Sequence, residues 1–151
     1  MKRSIPPVTL LLILAITCST ALARFAKPED AVAYRKAVMQ VIGRHFDNMA
    51  GVIKGRQTYD KAAFKADAEI VAVMARLPWE ASLVPGSYEE GTTLKEKALK
   101  DREGYMAVAK KFEAASQDLL SAANDGDLES IKSKFRMTAK SCSSCHKPYR
   151  K

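Results

Sequence analysis

The chain is poor in the residues that most often build functional sites, with two histidines, three cysteines and one tryptophan among 151 residues. Beyond the N-terminal region no stretch approaches the roughly 18 unbroken apolar residues that a membrane span requires. Alternating strand patterns and internal repeats are missing as well, which sets sheet and solenoid architectures aside. Charge of one sign is not massed. Basic residues are interspersed with acidic ones, which argues against nucleic acid as a partner and for a solvated basic surface that leaves an acidic partner protein open.

What is present begins with a leader. Lys2 and Arg3 precede the apolar run Val8 to Ile16, and Ala21-Leu22-Ala23 supplies small residues at a cleavage site, so residues 1–23 read as a signal peptide and 24–151 as a single domain. Cys18 leaves with the leader. A lipoprotein would need a leucine-led box before that cysteine, which Ala15-Ile16-Thr17 does not provide, so the expectation is a soluble, exported, periplasmic protein. Removing Lys2 and Arg3, with no acid in the same stretch, lowers the formal charge from +8 to +6.

The mature part reads as four helices. Val32, Arg35, Met39, Ile42, Phe46, Met49 and Ile53 recur in steps of three and four, opened by Pro28-Glu29-Asp30 and closed near Gly55. Phe64, Ala68, Val71 and Ala75 form a second stripe, ended by Pro78. The segment from Pro78 to Thr92 has no period and is the one long connection. Thr93-Leu94-Lys95-Glu96 has the pattern of a capping box for the third helix, whose seam is Tyr105, Val108, Phe112, Ala115, Leu119 and Ala122. Asp127 caps a fourth, with Leu128, Ile131, Phe135, Thr138, Cys142, Cys145 and Tyr149 on one stripe. The fold class expected is all-α, an antiparallel four-helix bundle.

Cys142-Ser143-Ser144-Cys145-His146 is the attachment signature of haem c. Thiols one helical turn apart reach two vinyl groups on one porphyrin edge, and the adjacent imidazole reaches the iron. A disulfide over so short a loop would staple nothing. A thioredoxin-like pair belongs at a helix start after a strand, and zinc wants two more ligands when His45 is the only other imidazole. His45 falls off the seam and reads as a surface residue. The small, alanine-rich seams leave space for one covalently bound haem c.

Two residues of the first helix are ambiguous on spacing alone. Arg35 stands where an apolar residue is expected, so it either bends out to solvent along its stem or pairs with a haem propionate, with Lys36 a weaker candidate for that role. Met39, one turn on, is either core packing or a sixth iron ligand opposite His146.

Together with Phe25-Ala26-Lys27-Pro28, Tyr34-Arg35, Leu77-Pro78-Trp79, Ala123-Asn124-Asp125-Gly126-Asp127 and the C-terminal Cys142 to Arg150 segment, these residues resemble the class II cytochromes c, and within them cytochrome c′. One departure from that pattern is Leu99, which stands where a tryptophan is common. The resemblance implies that His146 is the proximal ligand with Arg150 near the proximal face, that Arg35 lies at a propionate, that Met39 is distal, and that Thr93 contacts the pocket. It also implies five-coordinate, high-spin iron that binds nitric oxide and carbon monoxide, and a homodimer through the first two helices. The alternative within the class is a low-spin electron carrier ligated by Met39 and His146. Neither is an enzyme in the usual sense, and a peroxidase finds no distal acid or base on the first seam.

Overall fold

Proline at the first position and acids in the first turn start helix α1, Pro28–Ile53, and the chain leaves it through Gly55 in the left-handed region at φ 69°. The computed structural model describes residues 25–151, so the predicted signal peptide and Cys18 lie outside the described residues. Asp60 caps α2, Lys61–Met74, by accepting from the Ala63 amide at 2.8 Å. A single 3-10 turn, Glu80–Leu83, follows Pro78 and Trp79. The short α3, Lys97–Lys100, then precedes α4, Arg102–Asp125, and α5, Leu128–Tyr149. Asp127 caps α5 through the amides of Glu129 and Ser130, as its position in the sequence implies. No helix among the described residues is long and apolar enough to cross a membrane.

The expected capping box at Thr93 does not form. Residues 93–95 instead run extended beside the C-terminus, with the Lys95 amide donating to the Tyr149 carbonyl at 2.8 Å and the Lys151 amide to the Thr93 carbonyl at 2.7 Å. A segment pinned in that conformation is not free to begin a helix. Glu96 pairs with Lys100 at 2.6 Å rather than reaching back to Thr93. The third long helix therefore starts at Arg102, where Asp101 accepts from the Gly104 amide at 3.1 Å.

Packing proceeds round the bundle in three tight steps: α1 on α2, α2 on α4, and α4 on α5. Alanines at 68, 72, 75, 109, 122 and 123 are buried along these contacts and let the backbones close. Met49, Val71, Leu119 and Ile131 fill what remains, and Trp79 stands edge-on to Tyr105 and Phe112. The fourth side is different. The backbones of α1 and α5 scarcely approach each other, and the rings of Phe46 and Phe135, stacked at 4.3 Å between centroids, bridge them.

Leu119 is fully buried in the C-terminal third of α4. Replacing it with alanine is expected to lower the unfolding free energy by about 2–5 kcal/mol, read as a lower guanidinium midpoint with the denaturant slope unchanged.

Candidate haem site

Helix α5 presents Cys142, Cys145 and His146 within its last two turns. Both cysteines are free thiols, half-buried and packed against the core. Burial raises the pKa of Cys142 and pushes that of Cys145 up to about 11. Both sulfurs are therefore protonated at neutral pH, the reverse of the depressed pKa on which a thiol–disulfide exchange pair depends. His146 is accessible from solvent, yet the atoms packed around its ring, and after them the Arg150 guanidinium, lower its pKa. Its imidazole is neutral at pH 7, the form that carries a lone pair for a metal.

The Phe46–Phe135 stack sets the register across the open side. Two turns back from Phe46 along α1 stands Met39, and three turns back stands Arg35. The same steps forward from Phe135 on the antiparallel α5 reach Cys142 and His146. Residues from two distant parts of the sequence thus stand at matching heights along the loosest seam of the bundle. Met39 is half-buried and packed against the core.

Arg35 does not bend out to solvent. It is 5% exposed, and its guanidinium donates to the Ala81 carbonyl at 2.8 Å, the Ser87 carbonyl at 2.7 Å, the Thr92 hydroxyl at 2.9 Å and the Ser87 hydroxyl at 3.4 Å. All four acceptors are neutral, and burial lowers its pKa. This one side chain ties together three separate points of the long connection.

The remaining predicted residues divide. Arg150 follows the last turn of α5, its amide donating to the His146 carbonyl at 3.0 Å. Lys36 and Thr93 are exposed, and the neighbouring Thr92, which the sequence reading passed over, holds the place in the Arg35 network. His45 is not a bare surface residue: its Nδ1–H donates to Asp67 at 2.6 Å, and Asn48 donates to the same oxygen at 3.2 Å, tying α1 to α2. Tyr149 was expected only as a seam residue. Its hydroxyl also donates to Asp101 at 2.7 Å, and its ring meets Tyr105 edge-on, so the end of α5 is fastened to the start of α4. An open depression of about 570 Å³ on the outer side of α4, lined by Arg102, Glu103, Met106, Ala107 and Lys110, contains none of these residues.

Haem fits this donor set. Two thiols one turn apart, a neutral imidazole beside them, and a thioether and a guanidinium across a seam that the helices leave loose define a four-helix-bundle c-type cytochrome. The family model of cytochrome C′ matches residues 30–150. The cytochrome c′ of Alcaligenes xylosoxydans xylosoxydans is 36% identical over 128 residues, covering 85% of this chain and 98% of that one. Cytochrome c prime from Shewanella frigidimarina superimposes with a TM-score of 0.82 at 32% identity, over 85% of this chain and 99% of that one. A nitric oxide complex of a cytochrome c prime mutant from Alcaligenes xylosoxidans gives a TM-score of 0.78 at 36% identity, over 85% of this chain and 98% of that one. The chain belongs to the cytochrome c′ family, whose members carry a single covalently attached haem c and are not classical enzymes.

The Tyr149 hydroxyl, and after it the Gly104 amide, hold the Asp101 carboxyl below the usual carboxylate range. A depressed carboxylate contributes stability that is fully present above the unfolded pKa of about 4 and is lost as pH falls through the folded value. Asp101→Asn keeps a capping oxygen but loses the charge. Urea midpoints are expected to show the variant below wild type at pH 7, with the gap closing as the pH falls below about 4.

Proposed function

We propose that haem is joined through thioethers at Cys142 and Cys145, that His146 is the proximal iron ligand, and that the iron is five-coordinate and high-spin with an open distal side that binds nitric oxide and carbon monoxide. The observation that carries this reading is the register that sets α5's thiols and imidazole level with Met39 and Arg35. Haem, when bound, supplies an iron centre that takes a diatomic gas or a single electron. The chain's own residues do the rest. His146 offers a neutral nitrogen from a helix end that Tyr149 and Asp101 hold in place. Met39, apolar and half-buried, covers the distal side as packing. Arg35 has five N–H donors; four are engaged with the connection, and the Nε–H is left for a propionate. Lys36 and Arg150 are peripheral contacts, and the pocket contact assigned to Thr93 belongs to Thr92.

Two solved relatives support the gas reading: the nitric oxide complex described above and a carbon monoxide-bound variant of the same Alcaligenes protein. The leader residues support a periplasmic location, and the resemblance supports a homodimer through α1 and α2.

Mass spectrometry of exported protein is expected to show one haem added to the chain, and unmodified Cys142 and Cys145 would sink the attachment. Ferrous protein is expected to bind carbon monoxide, and Met39→Ala to raise the association rate while the spin state stays as in wild type. A sulfur-to-iron band toward the red end of the ferric spectrum, with ferrous protein indifferent to carbon monoxide, would instead identify a low-spin carrier ligated by Met39 and His146.

A further inference from the structure

The basic residues are not evenly spread after all. Residues 127–151 hold Lys132, Lys134, Arg136, Lys140, Lys147, Arg150 and Lys151 against Asp127 and Glu129; seven positive less two negative gives +5, most of the formal +8 of the whole chain. This excess lies on and just after the helix that carries the thiols. Lys132 and Lys134 are neutralised by Glu129 and Asp118, both at 2.8 Å. Arg136, Lys140 and Lys147 are exposed, and their spacing of four and seven residues keeps them on one face. Ser143 and Ser144 are exposed in the same stretch, and Met137 is 53% exposed.

Helix stability accounts for Lys147, in the last turn, but not for Arg136 and Lys140. Basic residues favour the negative end of a helix dipole only within its last turn, and α5 runs on to Tyr149, two turns and more beyond Arg136 and Lys140. Like charges four residues apart, as at Arg136 and Lys140, weaken a helix. The thiols lie on the inner side of the same helix, so a molecule seated on the outer side stands about one helix diameter, ~10 Å, from the haem attachment. A focused positive field of this kind raises the encounter rate with a negative partner and orients it.

We propose that the outer face of α5, formed by Arg136, Lys140 and Lys147 with Met137 at its edge, docks an acidic electron-transfer protein whose carboxylates surround its own redox centre. The proposal rests on the haem attachment at Cys142 and Cys145. Charge complementarity selects the partner's sign, and proximity to the attachment selects its class.

Reduction of the ferric haem protein by a reduced plant-type [2Fe–2S] ferredoxin, a small acidic protein, provides the test in stopped flow. The second-order rate constant is expected to fall about tenfold between ~10 mM and ~200 mM salt. At low salt, Arg136→Glu/Lys140→Glu/Lys147→Glu is expected to react about tenfold more slowly than wild type, with the corresponding triple glutamine variant in between. Reduction by ascorbate, a small monoanion, should slow far less than reduction by ferredoxin in both, and Lys54→Glu/Arg56→Glu, at the opposite end of the bundle, should follow wild type with ferredoxin. A rate indifferent to salt, an equal loss in the Lys54/Arg56 variant, or an equal slowing with ascorbate would overturn the proposal. So would salt-sensitive flotation with phosphatidylglycerol vesicles that the glutamate variant loses while its ferredoxin rate holds, since that assigns the face to a lipid surface. A chain without covalent haem overturns this proposal together with the attachment, whereas a haem-loaded chain with salt-blind rates overturns this one alone.

Discussion

The stacked rings of Phe46 and Phe135 decide what the rest of the bundle can hold. Where alanines line a helix contact, as at Ala68, Ala72, Ala109 and Ala122, the backbones close on one another. Two aromatic rings at 4.3 Å fill a wider gap between α1 and α5 and fix their relative height. Stacking is worth about 0.5–1.5 kcal/mol beyond the area it buries, a modest energy with a large geometric consequence. A slip of one turn would set Cys142 opposite a different residue of α1, and the pairing of Met39 and Arg35 with the thiols and imidazole would be lost. In the proposed site, the loose seam on the N-terminal side of Phe46 is where a flat macrocycle would lie.

That seam is framed by two sets of long-range bonds. On one wall, the end of α5 is pinned by the Tyr149 hydroxyl on Asp101 and by the paired backbones of 93–95 and 149–151. On the other, Arg35 gathers the connection between α2 and α3 by four hydrogen bonds. A buried charge left unpaired costs several kcal/mol, and no carboxylate is among the partners of Arg35. Neutral oxygens turned inward by the folded connection offset that cost, so the connection and the guanidinium each need the other in place. Among the described residues the arrangement leaves one donor, the Nε–H, uncommitted, and a negative group there would relieve the remaining desolvation.

How much of this is legible in the sequence depends on the range of the interaction. The seams of α1, α2, α4 and α5 follow from spacing, the Asp127 cap from local chemistry, and the haem motif from five consecutive residues. Arg35 announces itself as a misfit on an apolar stripe, but Ala81, Ser87 and Thr92, which satisfy it, lie about fifty residues away. Thr93 to Glu96 has the chemistry of a capping box and fails as one because the C-terminus claims its backbone. His45 looks idle until α2 brings Asp67 to it. The basic surface reads as mixed over the whole chain because its excess is confined to one helix, and composition averages that away. Each miss is a non-local contact or a local concentration that a pattern along the chain does not carry.

Met39 links the geometry to the chemistry through a competition that its packing sets. Its side chain is half-buried among core residues, so in the proposed site moving its sulfur to the iron would give up part of that contact, whereas leaving it in place would require an incoming gas to find room beside it. A flexible, unbranched thioether can do either at low conformational cost. Alanines elsewhere in the bundle hold the helices too close for such a choice. In the proposed site, at the seam kept wide by Phe46 and Phe135, the same residue would serve as a cover that yields to a small ligand, and the strength of its packing would set how readily it yields.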